Sequence, residues 1–236
     1  MKVYIISELC GQWGGSTRRA EQMILQSKMG GADAVKVQLW DTYRMPGENR
    51  ELWEYLSMTR DQYDRLRSFS ESLNIDFFAS AFHQDRFEWI LDSDSTSSSR
   101  SINKIASCML DWDLNFCREM IETGLETYVS LGAWFEPALP FDNENVKYMH
   151  CLSKYPHNFD EAIKNMPLEF DENTVCGYSD HSLGIGACYE AVKRGATVIE
   201  KHFTTDKTLQ CKTESAHACS MDINDLSNLR NFCDQL

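Results

Sequence analysis

The sequence predicts an α/β protein in which eight parallel strands close into a (β/α)8, or TIM, barrel with one or two helices shortened. Eight short segments rich in β-branched and aromatic residues alternate along the chain with segments whose apolar residues recur at helical spacing. The chain has 236 residues, which is the length of one such barrel. We therefore expect a single domain over residues 1–236. A doubly wound open sheet is the alternative that this pattern leaves open.

The strand predictions rest on short apolar runs bounded by turn residues. The clearest unit runs from Cys176 to Thr204, where a helix over Ile185–Arg194 is stopped by Gly195 and joins two strands. Strands joined in this way run parallel. In chain order the predicted strands are Val3–Ser7, Ala34–Gln38, Asp76–Ser80, Ser101–Ala106, Glu126–Ser130, Val146–Cys151, Thr174–Tyr178 and Thr197–His202.

Capping residues and glycines delimit the helices between these strands. Ser16 is a good N-cap for the first helix, and Gly30 and Gly31 stop it. Further helices are predicted at Thr59 or Asp61 to Leu73, His83–Leu91, Asp111–Thr123, Asn158–Asn165 and Ile223–Phe232.

The sequence does not predict an ordinary barrel helix in three of the connections. Residues 132–145 contain two prolines and little periodicity, so a barrel helix should be shortened there. Residues 39–59, which include Pro46 and Gly47, are too long for an ordinary βα loop and should fold over the strand ends. Residues 92–100 are rich in Ser and Asp and predict a surface loop.

Composition limits the classes of partner and the compartment. The formal net charge is −13, which argues against binding to nucleic acid or to an anionic membrane surface. The nine cysteines contain no CxxC pair and predict free thiols in a reducing cytosol. The N-terminus enters a strand directly, and no apolar run is long enough to span a bilayer. We therefore expect a soluble, cytoplasmic protein.

Two histidines end neighbouring predicted strands, and each has a carboxylate nearby. His181 follows Asp180, and His202 lies two residues after Glu200. Because the C-terminal ends of parallel strands are where α/β proteins bind ligands, the two imidazoles can converge on one divalent cation. The alternative is that both are hydrogen-bonded structural histidines.

Two lysines lie inside predicted strands, where an ammonium group is costly to bury without an anion. Lys36 and Lys104 therefore predict a bound phosphate or carboxylate, assisted by the hydroxyls of Ser107, Ser130 and Ser179. The alternative is that they pair with a buried glutamate such as Glu8 or Glu200.

Four motifs together resemble the sialic acid synthase family, which includes N-acetylneuraminate, legionaminate and pseudaminate synthases. They are Gly31-Ala-Asp-Ala-Val-Lys-Val-Gln38, His150-Cys-Leu-Ser-Lys-Tyr-Pro156, Gly177-Tyr-Ser-Asp-His-Ser-Leu-Gly184 and Ile199-Glu-Lys-His-Phe-Thr204. The resemblance implies a TIM barrel that condenses phosphoenolpyruvate with an N-acetylated hexose such as N-acetylmannosamine. It also implies a divalent cation, Mn²⁺ or Mg²⁺.

The resemblance assigns roles to the residues at the strand ends. It implies His181 and His202 as metal ligands and Glu8 as an acidic residue near the metal and the reacting carbons. Tyr155 and Asp180 are expected to face the sugar or to support the metal histidines, and the predicted catalytic residues are Glu8, Lys104 and Asp180. The implied phosphoenolpyruvate pocket consists of Lys36, Gln38, Lys104, Ser107, Ser130, Ser153 and Ser179.

The chain departs from the family pattern in three places. Gln12 and Trp13 stand where the family has Asn-His, and Ala216 stands where a sugar-contacting aspartate is expected, with Glu214 as a substitute. The small antifreeze-like domain that follows the barrel in the family has no counterpart before Leu236. In the family this domain reaches the partner's sugar site, so a homodimer or a separately encoded cap domain would supply it.

These departures leave three hypotheses open. The first is a synthase of a sialic acid-like nonulosonic acid. The second is a catalytically impaired barrel that serves as a binding or scaffold subunit. The third is a metal-dependent aldolase or hydrolase that uses the same two histidines.

Overall fold

Eight parallel strands form a closed barrel in the computed structural model, which describes residues 2–45, 50–94, 102–208 and 215–236, with the backbone alone at 93–94 and 215–216. The last strand pairs with the first, and Glu8 lies opposite His202 in that pairing. This closure confirms the predicted TIM barrel and excludes the doubly wound sheet. The strands are β1 Tyr4–Glu8, β2 Ala34–Leu39, β3 Asp76–Ala81, β4 Ile102–Ile105, β5 Glu126–Ser130, β6 Val146–Cys151, β7 Val175–Asp180 and β8 Val198–His202.

The helices follow the strands around the outside of the barrel. They are α1 Thr17–Gly30, α2 Arg50–Leu56, α3 Arg60–Ser72, α4 Gln84–Asp94, α5 Met109–Trp112, α6 Leu114–Glu122, α7 Phe159–Asn165, α8 Gly186–Lys193 and α9 Ile223–Cys233, with short 3-10 turns at Cys10–Trp13 and Ser215–Cys219. Residues 131–145 contain no helix, which confirms the shortened connection between β5 and β6.

Two helix predictions need correction. The connection over residues 39–59 contains α2, which its charged and aromatic sequence did not reveal. The helix predicted as Asp111–Thr123 is two helices, because Asp113 adopts an extended φ of −153° and its carboxylate accepts a hydrogen bond of 2.9 Å from the backbone N–H of Phe116. Asp113 is thus an N-cap and ends α5 where it begins α6. Most of the predicted loop over 92–100 and residue Ser101 of the fourth strand lie outside the described residues, and α4 extends to Asp94.

Each strand places an apolar or small residue in the lower half of the barrel interior and a polar residue two positions later. Alternation along a strand sends such pairs to the same side. The lower layer is Ile6, Ala34, Phe78, Ile102, Tyr128, Met149, Gly177 and Val198. The upper layer, which we call the polar ring, is Glu8, Lys36, Ser80, Lys104, Ser130, Cys151, Ser179 and Glu200. All eight members of the polar ring are buried. The dry lower layer therefore supports a polar floor at the C-terminal ends of the strands.

The outer faces of the strands, exemplified by Ile5, Val35 and Val129, are buried against the helices. α9 returns to the start of the chain, where Arg230 donates hydrogen bonds to the carbonyl groups of Val3 (3.0 Å) and Gly31 (2.9 Å). Gly31 ends α1 with a left-handed φ of 93°, a conformation that favours glycine.

No helix in the described ranges combines the length and the apolar character needed to cross a membrane. The eight cysteines within these ranges are free thiols, as predicted, and Cys211 lies outside them.

Candidate active site

A cavity of about 270 Å³ opens at the C-terminal ends of the strands, above the polar ring. Ten of the twelve predicted site residues line it: Glu8, Lys36, Gln38, Lys104, Ser107, Ser130, Tyr155, Ser179, His181 and His202. Ser153 and Asp180 are not among its lining residues, although Ser153 Oγ lies 2.8 Å from Ser107 Oγ. The topology therefore gathers side chains from β1, β2, β4, β5, β7 and β8 at one opening.

Two lysines and two glutamates form the charged centre of the cavity floor. Glu8 pairs with Lys36, and Glu200 Oε2 lies 3.3 Å from the same ammonium nitrogen. Glu200 Oε1 lies 3.8 Å from Lys104 Nζ and accepts a hydrogen bond of 2.9 Å from Ser179. Glu200 thus bridges both lysines, as the alternative interpretation of the lysines anticipated. The two ammonium and two carboxylate groups cancel formally, so an anionic ligand would need a further positive charge.

Burial and these contacts shift the four pKa values in different directions. Burial alone would raise the pKa of Glu200, but the Lys104 and Lys36 charges lower it to about 2. Burial alone would lower the pKa of Lys36, but the carboxylates of Glu200 and Glu8 raise it above its usual range. Burial raises the pKa of Glu8 and lowers that of Lys104, since their partners compensate only in part. Glu200 and Lys36 are therefore held ionised, while Glu8 and Lys104 are shifted towards their neutral forms, which suits them to exchange protons.

Hydroxyl and amide groups surround this charged centre. Lys104 donates a hydrogen bond of 2.7 Å to Ser130 Oγ, and Lys36 donates one of 3.3 Å to Ser80 Oγ. The Cys10 thiol donates a hydrogen bond of 3.2 Å to Gln38 Oε1. These groups can donate to or accept from the oxygens of a ligand that displaces their present partners.

The two histidines stand side by side at the rim, with ring centroids 5.5 Å apart. His181 Nδ1 lies 3.0 Å from the carbonyl oxygen of Leu152, and His202 Nδ1 lies 3.4 Å from Gln12 Oε1. The Leu152 carbonyl and Gln12 Oε1 are both acceptors, an arrangement that favours the tautomer with the proton on Nδ1 and the lone pair on Nε2. Burial lowers the pKa of His181 to about 4, and burial together with the His181 charge lowers the pKa of His202 well below its usual range. Both rings are therefore neutral at pH 7, which is the form that binds metals.

The described residues contain no group of three or more His, Cys, Asp and Glu side chains that could hold a metal ion. The protein therefore offers two neutral imidazoles, and any cation bound there would complete its coordination with water or substrate oxygens. Two imidazoles are fewer than the three protein ligands of a typical catalytic zinc site, so water or substrate oxygens would have to supply most of the ligands.

The departures near the first strand are also explained by their surroundings. Gln12 is 3% exposed and orients His202, whereas Trp13 is buried in the hydrophobic core and does not line the cavity. Ala216 is described by its backbone alone, and Glu214 lies outside the described residues.

Asp180 points away from the cavity, which argues against its predicted catalytic role and against the alternative that it faces the sugar, while its other predicted role, support of the metal histidines, stays a prediction. Its carboxylate accepts hydrogen bonds from Lys201 Nζ at 2.5 Å, from the Tyr178 hydroxyl at 3.1 Å and from the backbone N–H of Ser182 at 2.9 Å. The reason is strand alternation: Ser179 faces the interior, so Asp180 must face the helices. Its ion pair with Lys201 joins the strand ends that carry His181 and His202.

Tyr155 and an aromatic wall complete the cavity. The Tyr155 ring lies 3.9 Å from the His181 ring and 5.8 Å from the His202 ring, measured between centroids. On the other side, around β2, β3 and α5, the lining is apolar: Trp40, Met45, Leu52, Trp53, Leu56, Phe82 and Trp112. No local sequence pattern indicates this wall, because its members are scattered among segments that become neighbours only when the barrel closes.

Comparison with known proteins finds relatives of this chain. The NeuB family model matches residues 23–236. N-acetylneuraminate-9-phosphate synthase of Drosophila melanogaster is 28% identical, over 96% of this chain and 66% of that protein. N,N'-diacetyllegionaminic acid synthase of Legionella pneumophila is 26% identical, over 97% of this chain and 70% of that protein. The crystal structure of N-acetylneuraminic acid synthetase from Leptospira borgpetersenii in complex with citrate has a TM-score of 0.81 at 26% identity, over 100% of this chain and 84% of that chain.

The chain spans about two thirds of the length of the two curated relatives. Their names differ in the sugar acid, N-acetylneuraminate in one and N,N'-diacetyllegionaminic acid in the other, and only the first name mentions a phosphate.

Proposed function

Because the chain belongs to the NeuB family, as its resemblance to sialic acid synthases predicted, we propose that it condenses phosphoenolpyruvate with an N-acetylated hexose such as N-acetylmannosamine. The product would be a sialic acid-like nonulosonic acid. The single observation that supports this best is the shared cavity, in which Lys36 and Lys104 lie below two neutral histidines, His181 and His202.

The polar ring would hold the donor. The phosphate and carboxylate of phosphoenolpyruvate would bind Lys36, Lys104 and the surrounding serine hydroxyls, which donate hydrogen bonds to anionic oxygens. Glu8 and Glu200 already neutralise these lysines, so the donor's charge would have to be balanced by an added cation. Donor binding should therefore require a divalent metal.

The metal would be Mn²⁺ or Mg²⁺ held by His181 and His202. When bound there, a divalent cation polarises an aldehyde oxygen as a Lewis acid. Tyr155 packs on both rings and limits the space beside them. Gln12 and the Leu152 carbonyl hold the two Nδ1–H groups, so that both Nε2 atoms remain free to coordinate.

The reaction forms a carbon–carbon bond and a carbon–oxygen bond to water, and it breaks the carbon–oxygen bond to phosphate. C3 of phosphoenolpyruvate attacks the aldehyde carbon of the open-chain sugar, and the aldehyde oxygen takes up a proton to become a hydroxyl. Water adds to the cationic C2 and loses one proton, and phosphate then leaves with the electron pair of its bond to C2. The new C2 hydroxyl gives its remaining proton to the departing phosphate and becomes the ketone oxygen of the product. Glu8 would stabilise the cation in its ionised form, in which it pairs with Lys36, or would position the water in its protonated form, which burial favours by raising its pKa. Lys36 and Lys104 would hold the donor in register for attack.

The test is phosphate release from the full chain incubated with phosphoenolpyruvate, Mn²⁺ and a panel of N-acetylhexosamines. Release that needs both an acceptor and metal, and stops on chelation, is expected. Absence of release with every acceptor, from folded and metal-loaded protein, would contradict the proposal. Calorimetry that detects no phosphoenolpyruvate binding with Mn²⁺ present would then favour the scaffold hypothesis.

Two further expectations belong to this proposal. The free thiols of the described residues fit the reducing cytoplasm in which we propose that the protein works. Sedimentation of the same preparation checks the expected homodimer, and activity regained on adding the antifreeze-like domain of a relative would support a cap domain supplied in trans.

A further inference from the structure

His181 lies just beyond the end of its strand, where the hydrogen-bond ladder of the barrel no longer holds it. β7 ends at Asp180, whose partner on β8 is Lys201. His202, by contrast, is the last residue of β8 and is paired with β1. Outside the sheet, the carbonyl oxygen of His181 accepts a long hydrogen bond of 3.3 Å from the backbone N–H of His157. A fixed spacing between the two rings therefore depends on what else holds His181.

One ammonium group binds both neighbours of His181. Lys201 Nζ donates hydrogen bonds to Asp180 Oδ2 at 2.5 Å and to the carbonyl oxygen of Ser182 at 2.9 Å. Asp180 Oδ1 in turn accepts a hydrogen bond of 2.9 Å from the backbone N–H of Ser182, so the chain around His181 forms a closed turn. All three side chains are buried. Because Lys201 directly precedes His202, this lysine joins the backbone segments that carry the two histidines.

The surroundings hold the ion pair in one geometry. The Tyr178 hydroxyl and the Cys188 thiol of α8 also donate to the Asp180 carboxylate, at 3.1 Å and 3.2 Å. Neither Asp180 nor Lys201 lines the cavity, so the pair acts from behind the strands. A buried ion pair is often no more stabilising than apolar residues of the same volume, whereas its hydrogen bonds have preferred directions. Directional contacts on both sides of a histidine are suited to fixing where its ring stands.

We propose that Lys201 is a positioning residue, which holds the His181 imidazole beside the His202 imidazole through its contacts with the two residues that flank His181. The Leu152 carbonyl fixes the rotation of the His181 ring, whereas Lys201 fixes the backbone that carries it. The spacing so preserved is the 5.5 Å between the two ring centroids. The consequence for a cation rests on the proposed function, because it assumes that both rings bind one divalent metal ion.

The experiment compares Mn²⁺ affinities, measured by electron paramagnetic resonance on full chains that circular dichroism shows to be folded. Lys201→Met removes the ammonium group and keeps a side chain of similar length. Residues that orient metal-binding histidines from outside the ligand set contribute a factor of about 10–100 to metal affinity. Lys201 acts on the backbone and not on the ring itself, so we expect the lower end, a loss of about tenfold.

The matched control separates positioning from a general loss of stability. Met120→Ala opens a space at a fully buried residue of α6, which lies between β4 and β5, and β4 is four strands away from β8 in the closed barrel. Such a truncation lowers stability without touching either histidine. Mn²⁺ affinity should therefore stay within about twofold of the parent value. Equal losses of affinity in Met120→Ala and Lys201→Met would overturn the proposal.

A double variant tests whether the lost link or the unpaired charge is responsible, and it carries the test if Lys201→Met alone does not fold. Asp180→Asn with Lys201→Met removes the link and leaves no charge unpaired. Its Mn²⁺ affinity should still be about tenfold below that of the parent chain. Parent affinity in the double variant would overturn the proposal, because it would show that His181 keeps its place without Lys201.

A metal-free measurement distinguishes failure of this proposal from failure of the proposed function. In ¹H–¹⁵N NMR spectra of the metal-free chain, the ring signals of His181 should shift or broaden in Lys201→Met and in the double variant. Those of His83, which follows β3 on the other side of the barrel, should stay unchanged. If the parent chain binds no Mn²⁺, the proposed role of the metal fails and this comparison alone decides. Unchanged His181 signals in both variants would refute the positioning role.

Discussion

The buried ion pair between Asp180 and Lys201 gives the sharpest test of how the strand ends are held. Both side chains are fully buried, and the carboxylate and ammonium groups are 2.5 Å apart. Lys201→Met removes one charge and keeps a side chain of similar length and volume. It leaves the Asp180 carboxylate with the Tyr178 hydroxyl, the Ser182 N–H and the Cys188 thiol as its donors, and all of these are uncharged.

Breaking a buried pair in this way costs about 3–5 kcal/mol of unfolding free energy, because an unpaired charge stays in the interior. With a denaturant slope of about 3 kcal/mol/M, the urea midpoint should fall by about 1 M or more. The matched control is Lys154→Met, which breaks an exposed pair with Glu161 at 2.8 Å and should cost less than about 1 kcal/mol. Equal midpoint shifts in the two variants would refute the reasoning.

Two further measurements distinguish the effect of breaking the ion pair from the effect of losing side-chain packing. In the double variant Asp180→Asn with Lys201→Met no charge is left unpaired, so its loss should be smaller than the sum of the two single losses by about 0.5–3 kcal/mol. Burial alone would raise the pKa of Asp180, but Lys201 lowers it below the ordinary 3.8. The stabilisation from this carboxylate is therefore complete above pH 3.8 and is lost as the pH falls below that value. In Lys201→Met the carboxylate is an unpaired buried charge, so this stabilisation should disappear and protonation of Asp180 at low pH should relieve part of the variant's deficit. A pH dependence of stability identical to that of the parent protein would contradict this account.

Three shorter predictions follow from the cavity and its surroundings. Glu200→Gln removes the charge of the carboxylate that bridges Lys36 and Lys104, so the rate of phosphate release should fall at least about a hundredfold. A loss of less than about threefold would exclude a role of the Glu200 charge in the reaction. His202→Ala should weaken Mn²⁺ binding, followed by electron paramagnetic resonance, at least about tenfold with an unchanged circular dichroism spectrum, and unfolding at room temperature would contradict it. Burial lowers the pKa of His150 from 6.5 to about 4, so the free energy of unfolding should rise by about 3 kcal/mol as the pH increases from 4 to 6.5. Urea titrations of His150→Asn should show a weaker dependence of this free energy on pH.

The sequence predicted much of the fold and the site because both depend on where strands end. Glu8, Lys36, Lys104, His181 and His202 were each placed at or near a strand end from local patterns, and barrel closure brings them to one cavity. Their chemical roles stay predictions until ligands are measured.

Other features depended on side-chain direction or on long-range contacts. The alternation of Ser179 and Asp180 was a usable signal that only one of them could face the cavity. Lys201 gave the same signal beside His202 and was overlooked, whereas the pairing of Glu200 with both lysines was one of the alternatives that the sequence left open. No local pattern could indicate that Trp40 and Trp112 would belong to one surface, because residues 72 positions apart meet there through the intervening Phe82.

The polar ring also bears on how the protein refolds. Each of the eight strands supplies one member, and Glu8 belongs to the first strand while Glu200 belongs to the last. No fragment that lacks a strand can contain the whole set, and the pairing of β1 with β8 spans nearly the entire sequence. Contacts of such long range form late during folding. After dilution from denaturant, phosphoenolpyruvate binding should therefore recover only when β1 pairs with β8 and the barrel closes. The circular dichroism signal of the helices should return earlier.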